Sequence, residues 1–321
     1  MVSYPSFDNN KLANVMDAKY YNSLADGTSY SLVNRATQTK SAPGSTFKVL
    51  MTAAGLEEGV LSSPYETIHD GVAFTKIPGA APKCHSSKGH GSIDVRDAIK
   101  FSCNYFFYEV GYRLGCKDGS GYNSDKGLEY IKKYANKFGL TEKSGVEIEE
   151  AEPHVSDQDS VRSSIGQGSN AYAPSQIARY VTTVANGGTC YPLTLIKSAK
   201  DVNGNLVLDK AKNRKQDVKN GTIKTVDLSD STWDAMKEGM KRAASTYGGG
   251  GWPLTVYGKT GTAQESEKRP DHGLFISYCD DPGNGKEKIA MTTVLNFGYR
   301  SDDAHKLARE VYSYYVKDKN N

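Results

Sequence analysis

An α/β domain with a mostly antiparallel sheet is the fold class this sequence predicts. Runs with helical spacing come first, three short β-rich runs follow near the end, and an amphipathic segment closes the chain. No linker-like stretch divides the 321 residues, so one domain over 1–321 is expected.

Taken in order, Ser41-Ala42-Pro43-Gly44 is a turn leading into the helix-like apolar run Ser45 to Met51, with small residues at a helix start. The span 94–107 is helical in parts, and 128–138 has helical spacing. Pro174 to Ala185 reads as a helix closed by Asn186-Gly187-Gly188. Ser229 to Ala243 is another, with Trp233, Met236 and Met240 on one side. The glycine run in 244–251 predicts a mobile loop. Segments 254–262, 273–279 and 289–297 read as neighbouring antiparallel strands. The closing helix, 303–316, places Ala304, Leu307, Ala308, Val311 and Tyr315 on one stripe.

Composition narrows the function. Hydrophobic residues make up 37%, enough for a sizeable core. The 40 basic and 37 acidic residues leave a net charge of +3 without a dominant basic run, which gives nucleic-acid binding no support. No apolar stretch reaches the roughly 18 residues of a membrane span. The start, Met1-Val2-Ser3-Tyr4-Pro5, reads as a cut from a longer chain, so location cannot be inferred from a missing leader. Five widely spaced cysteines imply no disulfide framework.

Three short motifs carry chemistry. Ser45 and Lys48, three residues apart on a helix, share one face. A serine hydroxyl needs a base to become a nucleophile, and a lysine serves as one when burial or a second cation favours its neutral form. Alone, the pair also fits a polar helix start. Ser102-Cys103-Asn104 supplies a hydroxyl able to relay a proton and an amide able to hold an acyl side chain, although Ser and Asn also cap helices. Lys259-Thr260-Gly261-Thr262 lies in a β-rich run. There Lys259 offers a cation, Thr260 and Thr262 offer hydroxyls to a carboxylate, and Gly261 permits close approach; an ordinary edge strand is the bland alternative.

In this chain order, S-x-x-K, S-x-N and K-T-G resemble the signature set of penicillin-binding proteins and serine β-lactamases. The likeness extends to Asn34-Arg35-Ala36, Gly89-His90-Gly91, Ser164-Ile165-Gly166-Gln167-Gly168 and Ala185-Asn186-Gly187-Gly188, and narrows to class B penicillin-binding proteins of the elongation or sporulation type in Gram-positive, clostridial-like bacteria. The resemblance implies that family's fold, a central mostly antiparallel sheet flanked by helices. It implies a D,D-transpeptidase that cross-links peptidoglycan stem peptides ending in D-Ala-D-Ala through a Ser45 acyl-enzyme. The backbone N–H groups of Ser45 and Thr262 would form the oxyanion hole, and β-lactams would acylate Ser45. It further implies a native protein at the extracytoplasmic membrane face, with an N-terminal anchor and pedestal outside this sequence and a membrane glycosyltransferase as partner.

No cofactor is needed for that chemistry. If the family reading holds, Cys103 inside S-x-N, Cys84 ahead of Gly89-His90-Gly91, and Asp271-His272 after the K-T-G strand border one cleft. Cys84, Cys103, Asp271 and His272 then form a candidate structural zinc site, against the alternative of reduced buried thiols. His90, between glycines, is expected to pin a loop. A serine β-lactamase and a β-lactam-sensing receptor domain are the rival functions. Glu147, Glu149, Glu150 and Glu152 lie where a lactamase needs a deacylating glutamate, but without its E-x-x-L-N pattern.

Overall fold

A computed structural model describes the chain except for residues 14, 26, 28–29, 78, 211–213, 248–250, 265–269, 281–287, 299 and 318–321. The helical part comprises α1 (Ala18–Ala25), α2 (Lys48–Glu57), a hairpin of β1 (Ile68–Asp70) and β2 (Gly91–Ile93), α3 (Val95–Lys100), α4 (Asn104–Gly115), α5 (Ser124–Lys137), α6 (Ser160–Ser163) and α7 (Pro174–Ala185). A small hairpin, β3 (Ser198–Lys200) and β4 (Leu206–Asp209), and α8 (Arg214–Lys219) lead to α9 (Asp230–Thr246). The sheet follows as β5 (Val256–Ala263), β6 (His272–Cys279) and β7 (Ala290–Leu295), and α10 (Ser301–Lys317) ends the domain.

α2 is the axis of the fold. It is buried on every side from Lys48 to Gly55, and Val49, Leu50, Met51, Ala53 and Ala54 are fully buried, as expected of a helix enclosed by others. Its neighbours dock through small residues. At Gly239 of α9 a side chain would meet Ile99 of α3 at 2.6 Å, and at Gly111 of α4 it would meet the Ser160 carbonyl at 2.6 Å. At the far end of α2, Glu57 accepts hydrogen bonds from the Ser229 amide (3.0 Å) and the Thr232 hydroxyl (2.6 Å), which ties α2 to the start of α9.

The sheet has the order β5-β6-β7 and is antiparallel throughout. β6 is buried along its whole length because both faces are covered. Leu274, Ile276 and Tyr278 join the main core with α2 and α7. Phe275 faces Ala304 and Ala308 of α10, and Ser277 accepts a hydrogen bond from Tyr312 of that helix (3.1 Å). β5 is therefore an edge strand, free on one side to face the helical part.

The expected α/β class and antiparallel sheet are observed. Pro174–Ala185 forms as read, with Gly187 at φ +74° ending it. The 94–107 span becomes two helices broken at S-x-N. Asn123 caps α5, whose side chain accepts from two amides, so that helix starts four residues earlier than its apolar spacing indicates. The loop expected from residue 244 begins later, because α9 runs to Thr246; the glycines at 248–250 lie outside the described residues. Among the described residues no helix is long and apolar enough to cross a membrane.

The close α4–α6 contact gives a direct test. Gly111→Ala forces a methyl group against a backbone carbonyl, and overpacking of this kind costs about 1–3 kcal/mol. Thermal unfolding is expected to show a midpoint lowered by several degrees, with little change for Gly71→Ala, an exposed site where an added Cβ would meet only the Tyr105 ring at an ordinary 3.6 Å.

Candidate active site

The chain enters α2 through a 3-10 turn, Gly44–Phe47, so Ser45 lies in the turn and Lys48 starts the helix. Residues i and i+3 eclipse in 3-10 geometry, which aligns Ser45 and Lys48 as their spacing requires. Ser45 is half-exposed, and its hydroxyl has no hydrogen-bond partner among the described residues. Lys48 is fully buried.

The Lys48 ammonium meets the S-x-N motif directly. Nζ donates to the Ser102 carbonyl at 2.7 Å, the Ser102 hydroxyl at 3.2 Å and Asn104 Oδ1 at 2.6 Å. Two features present these acceptors. Ser102 sits at φ +55°, a left-handed conformation costing a non-glycine residue about 1–3 kcal/mol. Asn104 is the first residue of α4, whose cap is Cys103: Sγ accepts from the Phe106 amide at 3.4 Å. The acceptors favour a charged Lys48. Burial opposes them, Lys259 adds a like charge, and together these hold the Lys48 pKa well below the usual lysine range.

β5 supplies the opposite wall. Lys259 is fully buried, donates to the Thr260 carbonyl at 3.0 Å, and is lowered by burial to a pKa of about 7. Thr262 is exposed. Its carbonyl accepts from Gln167 Nε2 at 3.0 Å, so it points away from β6. The N–H and C=O of one strand residue lie on the same side, so the Thr262 N–H also points towards the Ser45 turn rather than into the ladder.

Three glycines permit this approach. A Cβ on Gly44, at φ +51°, would meet the Thr262 carbonyl oxygen at 2.3 Å, and one on Gly261 would meet the Pro43 carbonyl oxygen at 2.8 Å. Gly166 would meet the Gly44 carbonyl oxygen at 2.1 Å, and its own carbonyl accepts from the Gly44 amide at 3.1 Å. Backbone thus rests on backbone where the sheet meets the helical part. Gly166 and Gln167 received no role from sequence; the S-I-G-Q-G cluster was the available signal.

The thiols converge on a different pair of partners from the one expected. Asp70, Cys84, His90 and Cys103 place four donor atoms within 4.8 Å of one another. His90 Nδ1 lies 2.8 Å from Asp70 Oδ2, Cys84 Sγ 3.5 Å from His90 Nδ1 and 3.9 Å from Cys103 Sγ, and Cys103 Sγ 3.3 Å from Asp70 Oδ2. Two sulfurs, one imidazole and one carboxylate, nearly all buried, fit a four-coordinate site.

Asp271 and His272 are not part of this cluster. His272 opens β6, where its Nδ1 accepts from the Phe297 amide at 3.2 Å and its ring packs on Phe297 beside a separate cavity of about 550 Å³. Sequence proximity to the K-T-G strand did not decide which way the ring faces. His90 does more than pin its loop, because Gly89 brings it against Asp70. Asp70 was missed because β1 is too short for a strand signal.

Comparison with known proteins agrees with this geometry. The penicillin binding protein transpeptidase domain family matches residues 1–313. The peptidoglycan D,D-transpeptidase MrdA of Acinetobacter baumannii is 27% identical over 98% of this chain and 48% of its own length. Stage V sporulation protein D of Bacillus subtilis is 27% identical over 88% of this chain and 41% of its own. The chain thus spans about half the length of the curated relatives it matches. Among solved structures, the imipenem acyl-enzyme of Mycobacterium tuberculosis penicillin-binding protein A shares the fold at a TM-score of 0.79 and 24% identity, covering 98% of this chain and 70% of that one. With S-x-x-K, S-x-N and K-T-G gathered at one cleft, and the family model matching 1–313 of the 321 residues, the chain belongs to the penicillin-binding protein transpeptidase domain family.

Proposed function

We propose that this domain is the acyl-transfer unit of a peptidoglycan D,D-transpeptidase, with Ser45 as nucleophile. The observation that carries the reading is Lys48: a fully buried lysine beside the nucleophile's turn, bonded to both polar residues of S-x-N and shifted towards its neutral form.

The neutral Lys48 amine takes the Ser45 proton as Oγ attacks the penultimate D-Ala carbonyl of a donor stem peptide. The N–H groups of Ser45 and Thr262 donate to the developing oxyanion. Collapse breaks the peptide bond, and the D-Ala amine leaves with a proton passed from Lys48 through the Ser102 hydroxyl. The amine of a second stem peptide then attacks the Ser45 ester, and the reverse proton path releases the cross-linked product. Lys259 and Thr262 receive the donor's terminal carboxylate. A β-lactam follows the first half and stays attached. We assign the reaction to the outer face of the cell membrane, in the service of elongation or sporulation, with a glycosyltransferase supplying the strands. A structure entitled as the coordination of polymerization and crosslinking by a peptidoglycan synthase complex shares the fold at a TM-score of 0.80.

The four glutamates that a lactamase reading would draw on are engaged elsewhere. Glu147 binds Thr194 and the Leu195 amide, Glu149 accepts from Gln38, Glu150 binds Ser175 and the Ser144 amide, and Glu152 pairs with Lys143. This favours slow release of the acyl group over turnover.

Zinc at Asp70, Cys84, His90 and Cys103 belongs to the same proposal. When bound it would supply a structural cross-link between the β1–β2 region and the start of α4, beside the cleft and outside the proton path. Nothing in the acyl transfer draws on it.

Three outcomes are expected. Ser45→Ala abolishes covalent labelling by a fluorescent penicillin, read by intact mass; retained labelling ends the assignment. The second-order acylation rate by a carboxylate-bearing penicillin declines as pH rises through about 7, because Lys259 loses its charge above that value and no longer attracts the carboxylate. Lys48 sets the acid limb with opposite sign, since it is a base only when neutral; a flat profile would contradict both roles. Protein purified without added metal carries about one equivalent of zinc by elemental analysis, and chelation lowers its melting temperature; trace metal with unchanged melting removes the zinc site and leaves the Ser45 reading intact.

A further inference from the structure

One hydroxyl of the K-T-G strand has a partner that the motif chemistry does not account for. Thr260 Oγ1 donates to the Tyr247 phenol oxygen at 2.9 Å. Thr260 and Thr262 alternate onto the same face of β5, so Tyr247 stands beside the hydroxyls expected to meet a substrate carboxylate.

Packing pins the ring. Tyr247 ends α9, lies edge-on to Phe275 (5.9 Å between centroids) and stacks on the buried His305 (5.4 Å, 24° between planes). It remains half-exposed. A phenol carries one hydrogen to give and lone pairs to accept with. Here the oxygen accepts from Thr260, while the phenol hydrogen has no acceptor among the described residues. Burial raises the phenol pKa, so that hydrogen is retained at neutral pH.

We propose that Tyr247 is a further substrate-binding residue: oriented by Thr260, its phenol donates to the terminal carboxylate of the acyl donor, completing a subsite with Thr262 on that face of β5, across the strand from Lys259. This rests on the transpeptidase reading. Thr260 then acts through Tyr247, its own hydrogen being committed to the phenol, and the two hydroxyls form one unit.

The test compares benzylpenicillin with its methyl ester, which keeps the reactive ring and lacks the anion, by second-order acylation rates from intact mass. Tyr247→Phe retains the packing on Phe275 and His305. It is expected to narrow the acid-over-ester rate ratio about tenfold, as expected for one lost hydrogen bond to a charged group. Thr260→Val, which leaves the phenol but removes what orients it, is expected to narrow the same ratio. The double variant is expected to be no worse than Tyr247→Phe, since the two residues act as one unit. An unchanged ratio in Tyr247→Phe, with both reagents slowed equally or neither slowed, overturns the proposal, as does full additivity of the two substitutions. A wild-type domain that neither reagent acylates overturns the transpeptidase reading, and this one with it.

Discussion

Contact of bare backbone between the Gly44 turn and the K-T-G strand is the constraint on which the rest of the site depends. Ser45 and Lys48 come from the helical part, whereas Lys259 and Thr262 come from the sheet. These groups share a cleft because Gly44, Gly166 and Gly261 put nothing but hydrogen where the two parts meet. A methyl group at any of them would collide with a carbonyl at 2.1–2.8 Å and hold the walls apart. Gly44 and Gly166 also adopt positive φ, which a side chain would disfavour, and all three glycines remove the distance that a Cβ would impose.

Closing the walls sets the electrostatics. Lys48 and Lys259 are both buried, yet their surroundings differ. Lys48 is ringed by three acceptors and feels the like charge of Lys259, whereas Lys259 is shifted by burial alone and has a single backbone acceptor. A buried ammonium with few partners is costly unless an anion arrives. In the proposed reaction this asymmetry divides the labour: Lys48 exchanges a proton with its neighbours, and Lys259 receives a carboxylate. The strained Ser102 serves the same end, turning both its carbonyl and its hydroxyl to one amine.

The thiol cluster and the catalytic motif share a segment. Cys103 caps α4 while Ser102 and Asn104, on either side of it, hold Lys48. Ordering Asp70, Cys84 and His90 around Cys103 therefore also orders the acceptors of Lys48. In the same way the aromatic packing around Tyr247 reaches the K-T-G strand through Thr260. Both faces of the cleft are braced by groups that lie outside the three motifs.

Much of this was legible in sequence because it is local. Pro174 and Gly187 bracket α7, the apolar stripe of α10 shows at helical spacing, and the β-rich runs of β5 to β7 stand between turns; caps, periodicity and alternation act over a few residues. The motif residues were legible too, since their chemistry resides in residue type and order. Tertiary structure alone decided which groups meet across long gaps. It joined Asp70 and His90, rather than Asp271 and His272, to Cys84 and Cys103, and it set Tyr247 on Thr260 and Gly166 on Gly44. Convergence of that kind depends on the path of loops and on which face of a strand a side chain takes, and a shift of one residue along a strand reverses that face. Neither is written in the spacing of the residues concerned.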